Sequence, residues 1–212
     1  NTSGVVSLTA ALAWRLHYTE RHVRKAAFRT LAQQQTLAVA RELWGIRSSL
    51  DGLSRSFHSS RHVSRGEFTA YASRFLSDYA IQAALWLPAV PAGAIAALEA
   101  EAASDGLAGY RVWQGDPLTH RLPVAGRDTY FPLHYIAPFA PHAVAAGYDH
   151  GSDPIRAQAL RAALESGLTC ASDPVSLFAM TNRPPGFFVY QATTSQTQTG
   201  AVAFAVNLDA VV

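Results

Sequence analysis

Eight histidines, one cysteine and fifteen carboxylates are the residues with which this chain of 212 could do chemistry. His58 and His62 stand four apart in a helical run, a spacing that can ligate a metal. They flank Ser59, Ser60 and Arg61 with no carboxylate nearby, and read as exposed residues at a helix end. His134, His142 and His150, with Asp149 and Asp153, could assemble a metal site or an acid–base pair, although nothing in their spacing demands one. Asp128 directly precedes "TYFPLHYIAP", an aromatic run that also carries His134. This pair could be catalytic groups, ligand contacts or polar residues at a strand end. Cys170, being single, excludes an internal disulfide and a Cys-based zinc cluster, and reads as a small buried side chain. There is no glycine-rich phosphate loop, no H-E-x-x-H and no G-x-S-x-G. We therefore expect no catalytic residue, no metal and no cofactor.

The elements that must position these groups change character along the chain. From Leu8 to Ser60 there is no proline, and Ala, Leu, Arg and Gln dominate, all good helix formers. Leu16, Val23, Thr30, Leu37 and Trp44 recur every seven residues, and Ile46, Leu50, Leu53 and Phe57 then follow at helical steps. About 45 helical residues make a rod of roughly 70 Å, which reads as a stalk paired along its stripe with another helix. Ser64 and Glu67 form a capping box that starts a second helix at about Arg65, running to about Tyr79. Strands are expected in "IQAALWLPAV", "YRVWQ", "DTYFPLHYIAP", "PVSLFAM", "GFFVYQAT" and "AVAFAVNL", with "AVAAGYD" a turn or short strand. Helices are expected in "PAGAIAALEAEAASDG" and in "DPIRAQALRAALESG", where Asp153 caps, Pro154 takes the first position and Gly167 terminates. Three consecutive strands at the end favour an antiparallel sheet with helices on one side. The fold class is α+β.

Hydrophobic residues at 49% and charged residues at 15% are enough for a real core. The net charge of +2 hides an asymmetry. Residues 1–75 hold eleven Arg/Lys against four Asp/Glu, or +7, and residues 76–212 hold six against eleven, or −5. The basic residues are spread along the helical pattern without interleaved aromatics, which argues against a nucleic-acid partner. "GVVSLTAALAW" is uncharged, is too short to cross a bilayer and looks like the outer end of a transmembrane helix, with Trp14 and Tyr18 at interfacial positions. The alternative is an amphipathic first turn of a soluble helix. Trp86, Tyr110, Trp113, Tyr130, Phe131, Tyr135, Phe187, Phe188 and Tyr190 all fall on expected strands, as core or as the wall of a small-molecule pocket.

The ordered set "ALWLPAV", "GRDTYFPLHYIAPFAPHAVAAGYD", "DPIRAQALRAALESGLTCASDPVSLF", "PPGFFVYQAT" and "GAVAFAVNLDAVV" resembles the CHASE domain. That family is the extracytoplasmic sensor of bacterial histidine kinases and diguanylate cyclases and of plant cytokinin receptors. The likeness covers roughly residues 60–212, and the order rather than any single motif carries it. It implies a long stalk helix followed by a PAS-like antiparallel sheet with flanking helices. Residues 1–62 would be the end of a transmembrane segment and the stalk, 63–207 the PAS-like module, and 208–212 the start of a membrane-proximal part. By the same resemblance Asp128 stands where cytokinin-binding members hydrogen-bond the adenine ring, and Thr169 where a threonine meets the ligand's tail. Trp113, Tyr130, Tyr135 and Phe188 would enclose the ligand.

The function so implied is a non-catalytic periplasmic sensor domain of a bacterial inner-membrane protein. It would bind a small, adenine-like or aromatic molecule, act as a homodimer through the stalk and be tethered to the membrane. Departures at "AGAIAALEAEA" and "FFVYQATT" argue against assuming cytokinin itself. Two rivals remain open at this level. One is a dimerisation and spacer module answering a protein partner or membrane state. The other is an enzyme using His134 with Asp128 or Asp149.

Overall fold

The computed structural model describes residues 2–58, 63–76, 80–116, 119–180, 182–195 and 198–211, and within the first helix the side chains of residues 28–57. The expectations resting on the side chains of Trp14, Leu16, Tyr18, Val23, His58 and His62 lie outside them. Contacts divide the chain into two units, Asn1–Leu43 and Trp44–Val212. Helix α1 (Thr2–His58) accounts for the described part of the first and opens the second. In the first unit Phe28, Leu31, Leu37 and Leu43 are exposed.

In the second unit the phase of the apolar stripe decides burial. Trp44, the last residue of the seven-residue repeat, is 70% exposed, whereas Ile46, Leu50, Leu53 and Phe57 are buried. Helix α2 (Arg65–Ala72) begins with the expected capping box: the Ser64 hydroxyl accepts from the Glu67 N–H, and Glu67 Oε2 accepts from the Ser64 N–H at 2.9 Å. The helix stops at Ala72, short of the expected end, and gives way to turn bonds through Ser73 to Phe75. Replacing Ser64 by Ala should cost about 1 kcal/mol of stability in urea unfolding. A change within error would mean the box is idle.

The strands are β1 (Ile81–Pro88), β2 (Val90–Pro91), β3 (Trp113–Gln114), β4 (Leu122–Pro123), β5 (Thr129–Tyr130), β6 (Tyr135–Ala137), β7 (Cys170–Ala171), β8 (Val175–Ser176), β9 (Pro185–Thr194) and β10 (Thr199–Asn207). The central antiparallel sheet has the order β6-β1-β10-β9-β7, with β8 also on β9. Two-stranded pairs β2-β5 and β3-β4 stand apart from it. Helix α3 (Ile95–Ser104) follows β2, and helix α4 (Pro154–Ser166) precedes β7. Asp153 caps α4 by accepting from the Arg156 N–H, and Gly167 ends it in the left-handed region at φ 69°.

Alternation along the strands creates two buried faces. Trp86 and Phe204 lie toward the first two helices, where Phe57 meets Trp86 at 4.5 Å between ring centroids and Phe75 meets Phe204 at 6.1 Å. Ala83, Leu85, Leu87, Phe188, Tyr190, Ala203 and Ala205 form the opposite face and pack with Ala159, Leu160 and Ala163 of α4. Helices therefore flank both sides, not one. That double cover is why β1 is apolar along nearly its whole length rather than alternating with polar residues.

The expected "DTYFPLHYIAP" strand is two strands. Thr129–Tyr130 pair with Val90–Pro91, whereas Tyr135–Ala137 pair with Ala84–Trp86 of the central sheet. Pro132 between them has no N–H to continue a ladder and makes only an isolated bridge with Asp149. The "AVAAGYD" segment lies across the end of a 3₁₀ turn (Ala140–Ala145) and the residues just after it.

Candidate ligand-binding site

Between the second sheet face and its loop cover lies a cavity of about 40 Å³. Its wall is apolar, with Leu85 and Ala205 from the sheet and Leu133, Ile136, Leu177, Phe178, Met180 and Phe188 around it. Two polar side chains join them, His142 and His150. Both arrive on 3₁₀ turns, His142 within Ala140–Ala145 and His150 at the start of His150–Ser152.

The chain between these turns is tightly fixed. Gly147 has φ +81°, and a Cβ there would lie 1.9 Å from the Arg111 carbonyl oxygen, so only glycine fits. Its carbonyl accepts from the Trp113 N–H at 3.0 Å and its own N–H donates to the Leu133 carbonyl at 2.9 Å. Asp149 is fully buried, ion-paired with Arg127, and accepts from the N–H groups of Phe131 at 2.8 Å and Gly151 at 3.0 Å. These bonds hold the start of the His150 turn against the segment that follows β5.

His150 is 2% exposed, and its Nδ1 is 2.9 Å from the Tyr190 hydroxyl. Burial, followed by the nearby Arg156 guanidinium, holds its pKa well below the usual imidazole value. Burial pushes the Tyr190 phenol well above its usual value, so it keeps its proton. Among the described residues the Tyr190 hydroxyl has no other hydrogen-bond partner, and a buried hydroxyl proton left without an acceptor costs about 1–3 kcal/mol. The phenol O–H therefore donates to Nδ1. The neutral ring then carries its proton on Nε2. His142 Nδ1 is 3.4 Å from the Ala179 carbonyl, which can only accept, so Nδ1 carries a proton there.

Arg156 borders the site from outside. Its guanidinium lies over the rings of Phe188 at 5.1 Å and Phe178 at 5.7 Å and pairs with Asp153 at 2.9 Å.

Because His150 stays neutral when folded but binds a proton when unfolded, stability is unaffected above about pH 6.5 and falls as pH drops below it. The expected slope is up to about 1.4 kcal/mol per pH unit. His150→Gln should remove this component, so the difference between the two unfolding curves isolates it from carboxylate titration. Parallel curves would disprove a neutral buried His150.

The six residues singled out from sequence do not meet around this cavity. Phe188 lines it. Trp113 instead lines a wider groove of about 680 Å³ with Tyr110, Arg121 and Phe139; its Nε1 donates to the Ala146 carbonyl at 2.9 Å, and Arg121 covers its ring at 4.4 Å. Tyr130 accepts from the Arg127 N–H at 3.2 Å. Tyr135 packs on His134 at 4.4 Å and Phe68 at 5.8 Å; burial, then the Glu101 and Asp105 carboxylates, push its phenol up to about 12, against a lowering by Arg65. Thr169 donates to Gln191 Oε1. The Asp128 side chain is exposed, and its backbone carbonyl accepts from the Ala92 N–H at 2.9 Å. His134 is buried between Tyr110 and Tyr135, whereas Asp149 is occupied by Arg127 and two backbone N–H groups. No cluster of three metal-ligating side chains occurs among the described residues.

His142 and His150 could be singled out in the sequence only as members of a loop-rich stretch. The pairing of His150 with Tyr190, forty residues away, leaves no local signal.

An antiparallel sheet covered on both faces, with a small cavity between one face and its loop cover, defines an α+β module. The CHASE domain model matches residues 61–210, and the chain belongs to this family. CHASE domains are extracytoplasmic sensor domains of signalling receptors and are not catalytic. No match was found among curated proteins. Among the described residues, no helix is long and apolar enough to cross a membrane.

Proposed function

We propose that this chain is the periplasmic ligand-sensing domain of a bacterial inner-membrane receptor, with a histidine kinase or diguanylate cyclase as output. A small molecule binds at the second sheet face, and a homodimer of stalk helices carries the signal. The carrying observation is the cavity itself, an apolar wall on a rigid sheet with only two polar side chains. The exposed apolar residues Phe28, Leu31 and Leu37 support pairing of the stalk.

A ligand shifts the receptor only by its differential affinity for two arrangements, so it must also stabilise the isolated domain. At about 100 times its Kd the gain is roughly 2.7 kcal/mol. A thermal-shift screen with purines, aromatic acids and amino acids tests this. Phe188→Ala should weaken any hit at least tenfold. Asp128→Ala decides whether the exposed carboxylate contributes: an affinity lost there and kept in Phe188→Ala would move the site away from the cavity.

A second reading has its own support. The cavity is well below the roughly 300–1,000 Å³ typical of small-molecule sites. A screen without hits, together with a monomer–dimer equilibrium sensitive to Leu37→Lys, would favour a dimerisation and spacer module that answers a protein partner or membrane state.

A further inference from the structure

We infer that the groove beside the β3–β4 hairpin is a second binding site, and that it takes a small carboxylate carrying an apolar or aromatic group. The groove shares no lining residue with the sheet cavity and does not depend on what that cavity holds.

Size and charge support a ligand here. At about 680 Å³ the groove falls within the roughly 300–1,000 Å³ usual for small-molecule sites. Glu99, Arg111 and Arg121 are the Asp, Glu, Lys and Arg side chains that line it. Glu99 is already engaged: its Oε1 accepts from the Val112 N–H at 2.8 Å, and its Oε2 pairs with Arg111 at 3.6 Å. Among the described residues no carboxylate pairs with Arg121. The lining therefore carries one uncompensated positive charge. Arg121 is exposed, yet it is held in place. Its guanidinium lies over the Trp113 ring at 4.4 Å and donates to the Val144 carbonyl at 2.8 Å. That donation uses one of its five N–H groups and leaves the others for an incoming oxygen.

The apolar half of the ligand follows from what surrounds this charge. Among the described residues outside α1, five large apolar side chains are exposed, and two of them, Leu122 and Phe139, line this groove. A carboxylate would gain the guanidinium while its apolar part covers Leu122 and Phe139. An ammonium ion would meet a like charge, with Glu99 already paired. A neutral molecule of the same shape would gain the apolar contact alone.

The test uses the full chain with ¹⁵N-labelled tryptophan and three probes on one carbon skeleton: hydrocinnamate, hydrocinnamamide and phenylpropylammonium. Hydrocinnamate should shift the Trp113 indole signal, identified by its loss in Trp113→Phe, and leave that of the fully buried Trp86 in place. It should bind about fivefold more tightly than the amide, the upper end for an exposed ion pair, and the ammonium should bind most weakly. Arg121→Gln should erase the preference for the acid, and Arg121→Lys, which keeps the charge, should retain part of it. Phe188→Ala should leave the response unchanged. Equal binding of acid and amide, a preference that survives Arg121→Gln, or a Trp113 signal that no probe moves would overturn the inference and leave the reading of the sheet cavity intact. A response lost in Phe188→Ala would place the acid in the sheet cavity instead. A Trp113 signal that moves with protein concentration alone would give the groove to a second copy of this chain. Either result overturns the inference as well.

Discussion

Asp149→Ala should destabilise the domain by about 3–5 kcal/mol, the usual cost of removing one partner from a buried ion pair. The expectation rests on what the alanine would leave behind. Arg127 would lose its carboxylate, and the N–H groups of Phe131 and Gly151 would lose their acceptor. Arg127 also donates to Gln114 Oε1 at 2.9 Å, so one end of the guanidinium stays held. Asp149→Asn keeps Oδ1, which accepts from both backbone N–H groups, and loses the charged oxygen facing Arg127, so it should fall between wild type and alanine. Urea midpoints at constant slope measure both. A loss below about 1 kcal/mol for Asp149→Ala would mean that the pair is solvated in solution. The site should feel the change as well, because Asp149 precedes His150 directly and its N–H donates to the Trp113 carbonyl at 2.9 Å.

Phe57→Ala should cost a similar amount, about 3–5 kcal/mol, for a different reason. The ring is 1% exposed and sits 4.5 Å from Trp86 and 6.1 Å from Phe68. Its loss opens a void between the end of α1, α2 and strand β1. Trp44→Ala on the same helix is the control. At 70% exposure its removal should change stability by no more than about 0.5 kcal/mol. Equal losses from the two substitutions would mean that burial is not what separates the two stripes. On the proposed transmission through the stalk, the Phe57–Trp86 contact is one route by which a shift of the sheet would reach α1. A Phe57→Ala variant that still binds a screening hit should therefore signal less.

Much of the architecture is readable because its determinants are local. The Ser64–Glu67 box, the Asp153 cap with Pro154 and the Gly167 terminator lie within a few residues of the backbone groups they satisfy. The step from Trp44 to Ile46 shows in the one-dimensional pattern, because helical phase alone turns one stripe away from the core and the other toward it. The CHASE resemblance is legible for a related reason: it resides in the order of the pieces.

The ligand site is another matter. Treating "DTYFPLHYIAP" as one strand would put Tyr130 and Tyr135 on a single continuous ladder, but Pro132 sends Thr129–Tyr130 to β2 and Tyr135–Ala137 to β1. Asp128 leaves with the smaller pair and faces solvent, while Trp113 joins a groove across the loop layer. What assembles the cavity wall is the approach of β9 to the two 3₁₀ turns, which brings Tyr190 to His150 and so fixes the ring's proton. Composition, spacing and capping are properties of neighbours along the chain, and they settle the class of fold and its family. How each imidazole is paired and which carboxylate stays wet depend on contacts spanning 18 to 40 residues, and those exist only once the sheet has closed over its core.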